Sequence, residues 1–132
     1  MDSLTPGRGN GSILLEAVKE AGADGVLLNH AEKRLPLDII GDTIKRAQEI
    51  GLVSMVASSN PKDAENLADL GPEVVIAKSP DRIGNLKSVG RDREFVVQSV
   101  KRVKAVDPNI LFICGGDVKS GRDVAGLVKL GV

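Results

Sequence analysis

Short apolar runs alternate along the chain with longer stretches in which apolar residues recur every three or four positions. The runs span about five residues and lack the apolar–polar alternation of a half-exposed strand, a pattern typical of strands buried on both faces. We predict four strands, at 25–29, 52–57, 74–77 and 110–114. The intervening stretches have helical spacing. Strands that alternate with amphipathic helices predict a parallel α/β sheet covered by helices.

The helices are bounded by residues that favour helix ends. We predict helices at 13–21, 38–50, 64–70, 93–106 and 121–130. Glycine follows the first three of them, and Ser120 is placed to cap the last. The segment 79–91 is predicted as a long loop, either a lid over a site or a surface loop. Gly131-Val132 is interpreted as the start of a fifth strand.

Length and composition favour one globular domain. A chain of 132 residues supports one core and is too short for two ordinary domains, and 42% apolar with 27% charged residues is globular composition. We divide it into a flexible lead-in, 1–10, and a domain, 11–132. The 18 basic and 18 acidic residues balance, so no net charge attracts nucleic acid or an acidic membrane. Two phenylalanines are the only aromatic residues, too few for a base-stacking surface.

Cysteine content and apolar run length indicate the compartment. Cys114 is the only cysteine, so no disulfide forms within the chain and nothing favours an oxidising environment. No apolar run approaches the length of a membrane span, and the first ten residues lack the apolar core of a signal peptide. We therefore expect a cytoplasmic protein without a membrane partner, and we predict no metal site.

Polar residues follow each predicted strand. These sets are Asn29-His30 with Glu32, Ser58-Ser59-Asn60, Lys78-Ser79 and Cys114-Gly115-Gly116. In a parallel sheet the carboxyl ends of the strands gather at one edge, which is where ligands bind in α/β proteins. An open doubly wound sheet and a piece of an eight-stranded barrel both satisfy this pattern.

The chemistry of these sets leaves alternatives open. His30 can polarise a carbonyl or move a proton near neutral pH, or it can be a structural histidine. Glu32 beside Lys33 and Arg34 is either a catalytic acid or part of an exposed ion-pair cluster. Gly115-Gly116 can present backbone N–H groups to a phosphate, but a glycine pair after a strand is also an ordinary turn.

The segment 29–34 reads Asn-His-Ala-Glu-Lys-Arg and resembles the Asn-His-Ser-Glu-Arg-Arg signature of archaeal-type triosephosphate isomerase. The resemblance extends through 15–23, 59–61, Pro80, Ile83-Gly84, 114–116, Ser120-Gly121 and Asp123-Val124. It implies a partial TIM barrel, about strands 4–7 with flanking helices. It also implies the glycolytic and gluconeogenic interconversion of dihydroxyacetone phosphate and glyceraldehyde 3-phosphate, which needs no cofactor.

The resemblance also implies residue roles. His30 matches the electrophile that polarises the substrate carbonyl, and Glu32 matches a buried glutamate that orients it. Ile83 and Gly84 match the lid that closes on the substrate phosphate. Gly115 and Gly116 fall in a phosphate-contacting loop.

Lys78 stands at the position of the family's catalytic base, where the family has Glu-Pro-Pro and this chain has Lys78-Ser79-Pro80. A lysine is an ammonium ion at neutral pH and cannot abstract a carbon-bound proton as a glutamate does. Asp117 stands where the family has glycine. The family's strand-one asparagine and lysine and its last phosphate loop have no counterpart. We therefore expect negligible isomerase activity from this chain alone.

Three functions stay open at this point. The first is a triosephosphate isomerase homologue that is crippled as this chain alone. The second is an aldolase that acts through a Schiff base on Lys78, since that arrangement resembles deoxyribose-phosphate-type aldolases. The third is a non-catalytic phosphate-binding or assembly module. The expected partners are a small phosphorylated three-carbon substrate and, because part of a barrel leaves open strand edges, another copy or a complementing half-barrel.

Overall fold

The structure is a computed structural model that describes residues 1–7, 9–77, 89–114, 118 and 120–132, with the backbone alone for 89–92. Within these residues, strands and helices alternate along the chain. The elements are α1 (Leu15–Glu20), β1 (Gly25–Leu28), α2 (Leu37–Glu49), β2 (Val53–Ser58), α3 (Pro61–Ala68), β3 (Val74–Ala77), α4 (Val89–Val106), β4 (Leu111–Cys114) and α5 (Gly121–Val128). The alternation predicted from the apolar pattern is confirmed.

The described strands form one parallel sheet in the order β1-β2-β3-β4. In register, Leu28 pairs with Val56, and Ala77 pairs with both Ser58 and Cys114. The strand order follows the chain without the reversal that defines a doubly wound sheet. The arrangement is therefore that of consecutive β/α units, as in part of a TIM barrel.

The core lies between the helices and one face of the sheet. One cluster, formed mainly by α1, α2, β1 and β2, contains Leu15, Val26, Leu28, Ile40, Ile44, Ala47, Leu52, Val56 and Leu67. A second, formed mainly by α3, α4, β3 and β4, contains Ala64, Ala68, Val75, Ala77, Val96, Val103, Ile110 and Phe112. Burial against the helices stabilises each large aliphatic side chain by about 1.5–3 kcal/mol.

The opposite face of the sheet, which we call the inner face, is apolar, and it is exposed along the two edge strands, β1 and β4. Leu27 is 45% exposed, Leu111 63% and Ile113 43%. The prediction that the strands are buried on both faces is therefore wrong for the edge strands β1 and β4, whereas Ala57 and Val74 of the middle strands are buried on this face too. The apolar pattern is right, but no described element packs over the exposed side chains.

Helix α4 starts earlier than predicted, at Val89 rather than at residue 93. Residues 89–91 were predicted as the end of a long loop and are helical instead. Gly90 does not prevent this, because a glycine costs a helix only about 1 kcal/mol relative to alanine. The rest of the predicted loop, 79–88, lies outside the described residues.

The two ends of the described chain also differ from prediction in detail. Helix α1 begins at Leu15 rather than at residue 13, with Leu14 as its N-cap, and Asp2 is joined to this region by hydrogen bonds to Ile13 of 3.1 and 2.8 Å. The division of the chain at residue 10 stays a prediction. Residues 131–132 form no strand, because Gly131 has a φ of +90° and Val132 N–H turns back to Leu127 O at 3.4 Å.

Glu73 ties the amino-terminal ends of β2 and β3 to α2. Its carboxylate accepts hydrogen bonds from the backbone N–H and the hydroxyl of Ser54, both at 2.7 Å, and from Gln48 Nε2 at 2.9 Å. Burial alone would raise the pKa of Glu73, but the hydrogen bonds from Ser54 and Gln48 outweigh it and hold the pKa below its ordinary value.

We expect Glu73→Gln to lower the free energy of unfolding at pH 7 by about 2 kcal/mol, because one amide oxygen cannot serve all three donors. The pKa of Glu73 is lower folded than unfolded, so its contribution is full above the ordinary value of 4.5 and is lost as the pH falls through the folded pKa. Urea unfolding at several pH values should therefore show the difference between the two proteins shrinking in acid.

The matched control is Glu20→Gln, an exposed position whose side chain makes no hydrogen bond to the described part of the chain. Its stability should equal that of the unmodified protein throughout. A Glu73→Gln deficit that stayed constant into acid would contradict a role for the charged carboxylate.

Candidate functional site

The carboxyl end of β1 turns sharply into the segment that contains the only histidine. Asn29, the residue after Leu28, has a φ of +58°, a left-handed conformation that asparagine tolerates better than most residues. Asn29 is also buried. The strand therefore ends there, and residues 29–35 form a loop at the edge of the sheet.

Asn29 and Arg34 fasten this loop to β2. The Asn29 side chain donates from Nδ2 to Ala57 O at 3.0 Å and accepts at Oδ1 from Leu35 N–H at 3.1 Å. Arg34 Nη1 donates to Asn29 O at 3.1 Å and lies 3.4 Å from Ala57 O. The amide of Asn29 is thus bonded through both its polar atoms.

His30 sits at the start of this loop with its ring partly exposed, at 39%. Its Nδ1 accepts a hydrogen bond from Glu32 N–H at 3.4 Å. A neutral imidazole whose Nδ1 is an acceptor carries its proton on Nε2. The ring can therefore donate a hydrogen bond from Nε2 to a ligand oxygen, which is the chemistry needed to polarise a carbonyl.

Glu32 does not fit the environment that the resemblance implies. Its side chain is 86% exposed, whereas a buried glutamate was expected. Glu32 lies in the turn beyond β1, and no described residue packs over it. Its carboxylate is 3.8 Å from His30 Nδ1, so in this structure it is a surface charge near the ring.

The polar residues after β2 lie at the predicted edge but are used by the fold. Ser58 is buried and its hydroxyl donates to Ile76 O at 3.2 Å. Ser59 donates from its backbone N–H and its hydroxyl to Asp63, at 2.8 and 3.0 Å. Asn60 caps α3 by accepting from Asp63 N–H at 2.9 Å. These side chains position strand and helix ends and are not offered to a ligand.

The remaining predicted site residues lie outside the described residues. They are Lys78, Ile83, Gly84, Gly115 and Gly116. Ala77, the last described residue before Lys78, pairs with Cys114, the last before Gly115. Ala77 also pairs with Ser58 at the end of β2. The chain therefore enters both segments from the carboxyl edge of the sheet.

Helix α5, which follows the second of these segments, begins as predicted. Ser120 is its N-cap and forms a capping box with Asp123, in which the Ser120 hydroxyl accepts from Asp123 N–H at 3.3 Å and Ser120 N–H donates to the Asp123 carboxylate at 2.9 Å.

The described residues provide neither a metal site nor a membrane-spanning helix. Among them, no three side chains of histidine, cysteine, aspartate or glutamate gather as metal ligands would. No helix in this part of the chain combines the length and apolar character required to cross a bilayer.

Sequence prediction missed Arg34 as a site residue. The exposed pair Lys33-Arg34 was interpreted as a possible solvated charge cluster, but the two residues differ in the structure, since only Arg34 bonds to the strand ends. The signal in the sequence is weak. The contact depends on the left-handed turn at Asn29 and on Ala57, which is 23 residues away.

Comparison with known proteins identifies relatives over the full length of the chain. A family model described as triosephosphate isomerase matches residues 1–132. The triosephosphate isomerase of Methanothermus fervidus is 38% identical over 132 residues, 99% of this chain and 60% of that protein. Those of Methanothermobacter thermautotrophicus and Methanocaldococcus jannaschii are 37% and 33% identical, with 58% and 60% of their lengths covered. The chain spans about 60% of the length of the curated relatives it matches.

Proposed function

The chain belongs to the triosephosphate isomerase family, and on that premise we propose that it supplies the carbonyl-polarising part of an isomerase site. The substrates are dihydroxyacetone phosphate and glyceraldehyde 3-phosphate. The observation that carries this proposal is the hydrogen bond that His30 accepts at Nδ1. This Nδ1 accepts from Glu32 N–H at 3.4 Å, which supports Nε2–H as the donor of a partly exposed ring at the strand edge.

His30 acts on the substrate by donating from Nε2 to the carbonyl oxygen. Negative charge grows on that oxygen when a proton leaves the neighbouring carbon, so the hydrogen bond is stronger in the transition state than in the bound substrate. The backbone N–H groups of Ile83, Gly84, Gly115 and Gly116 are assigned to the phosphate on the basis of the resemblance.

The chain provides no carboxylate base at the position where the family has one. Lys78 stands there in the sequence, and an ammonium group cannot accept the carbon-bound proton. We propose that this chain alone binds and polarises the substrate without isomerising it at an enzymatic rate.

We also propose a cytoplasmic location. The single cysteine gives no sign of a disulfide-forming compartment, and membership of the triosephosphate isomerase family supports the same location.

The inner face supplies a reason to propose a protein partner. Leu27, Leu111 and Ile113 expose between 43% and 63% of their surface, and β1 and β4 are the two edges of the described sheet. Another set of parallel strands could pack its own apolar side chains against this uncharged face and form hydrogen bonds with the two edge strands of the described sheet. For the 132-residue chain by itself we propose that a second copy provides them, because it presents the same apolar face and the same edges. A complementing half-barrel would meet the same requirement.

Calorimetric titration with dihydroxyacetone phosphate tests the role of His30. We expect saturable binding, and binding about five- to tenfold weaker in His30→Phe, which keeps a planar ring but has no N–H donor, the loss expected for one hydrogen bond. Glycerol 3-phosphate lacks the carbonyl and should bind both proteins equally. Equal affinity of the two proteins for dihydroxyacetone phosphate would contradict the proposal.

A further inference from the structure

The loop that carries His30 is closed by two side chains whose hydrogen bonds go to the backbone and not to the ring. Asn29 Oδ1 accepts from Leu35 N–H at 3.1 Å, so the first and last residues of the segment 29–35 are joined. Arg34 Nη1 donates to Asn29 O at 3.1 Å and lies 3.4 Å from Ala57 O. We call these contacts the Asn29–Arg34 latch.

Inside the latch, Lys33 N–H donates to His30 O at 2.8 Å, which closes a turn within the loop but does not tie the loop to the sheet. Residues 31–34 are all exposed, and among the described residues Arg34 provides their hydrogen bond to β2. The polar contacts of the His30 ring are to Glu32, a residue of the same loop. The orientation of the ring therefore depends on the conformation of the loop, which the turn from His30 to Lys33 closes and the latch fastens to the sheet.

The left-handed turn at Asn29 adds a second constraint. A φ of +58° is uncommon for a residue with a side chain, and it persists when surrounding contacts hold it. Here those contacts are the buried amide of Asn29, bonded to Ala57 and Leu35, and the bond from Arg34 to its carbonyl.

We propose that Asn29 and Arg34 are positioning residues for His30. Their latch keeps Glu32 N–H on Nδ1 and so keeps the imidazole proton on Nε2, where a carbonyl can receive it. The functional meaning of the latch rests on the proposed role of His30, but its effect on the ring is measurable without substrate.

The test exploits the fact that His30 is the only histidine of the chain. Long-range ¹H–¹⁵N NMR reports which ring nitrogen carries the proton, at a pH where the ring is neutral. We expect the Nε2–H form to dominate in the unmodified protein. In Arg34→Met the fraction protonated on Nδ1 should rise at least about threefold, the factor expected when a hydrogen bond of ordinary strength is weakened. Arg34→Lys, which keeps the charge but not the planar fork, should lie between the two.

Lys33→Met is the matched control, because it removes the same charge from the neighbouring exposed position, where the lysine side chain makes no hydrogen bond to the described strand ends. It should leave the proton distribution unchanged. Asn29→Gly is the second test variant, since glycine keeps the left-handed turn while removing the amide. If Arg34→Met fails to fold, Asn29→Gly alone tests whether the latch sets the position of the His30 ring proton.

Folded Arg34→Met and Asn29→Gly proteins with the same Nδ1 fraction as Lys33→Met would overturn the latch. The proposed function fails separately, when dihydroxyacetone phosphate does not bind the unmodified protein. The two failures are therefore distinguishable.

Discussion

The Leu111→Lys variant is expected to raise the dissociation constant for self-association at least about a hundredfold, because it places a charge in the proposed contact between two inner faces. Leu111 is 63% exposed in the single chain, so the lysine ammonium can reach water and the fold of one copy should be retained. Sedimentation equilibrium over a range of concentrations measures both proteins.

Val106→Lys is the matched control for this variant. Val106 is also an exposed apolar residue, at 37%, but it ends α4 and does not belong to the sheet. The same substitution there should leave the dissociation constant unchanged. An unmodified chain that stays monomeric and stable at high concentration would remove the argument for a second copy.

We expect the isomerase rate of the purified chain to be at least about a thousandfold below that of a full-length relative in the same assay. The reason is that a positioned general base contributes a factor of this order, and this chain lacks one. Lys78→Ala should not lower the remaining rate further, since the lysine is not the base in this account.

The same preparation tests the two ways in which Lys78 could contribute chemistry. Turnover near the rate of the relative that disappears in Lys78→Ala would make Lys78 the base and contradict the account. Borohydride reduction in the presence of dihydroxyacetone phosphate should leave Lys78 unmodified. A reduced adduct on Lys78 would favour Schiff-base chemistry instead.

Local pattern was sufficient for the order of the elements and for the approximate place of the site. The strand at 74–77 was predicted with the bounds of β3, because a short apolar run between Pro72 and a lysine has little freedom in its limits. His30 was placed at a strand end because the apolar run stops just before it. The capping box of Ser120 and Asp123 is equally local.

Contacts between distant parts of the chain could not be predicted in this way. The apolar run at 110–114 indicates a strand but not whether anything covers both of its faces, so the exposure of Leu111 was missed. Likewise, the sequence near Arg34 contains no sign of its contact with Ala57 across the strand ends. The exposure of Glu32 also depends on what packs above it rather than on its neighbours in the chain.

One NMR titration reads the His30 ring signals and the triose signals in the same sample, so it measures contact with the substrate and its turnover together. We expect dihydroxyacetone phosphate to shift the His30 resonances saturably and glycerol 3-phosphate to shift them much less, while glyceraldehyde 3-phosphate forms at least about a thousandfold more slowly than with a full-length relative. His30 resonances that do not respond to dihydroxyacetone phosphate would contradict the proposed role of His30, and isomerisation at the rate of a full-length relative would contradict the missing base.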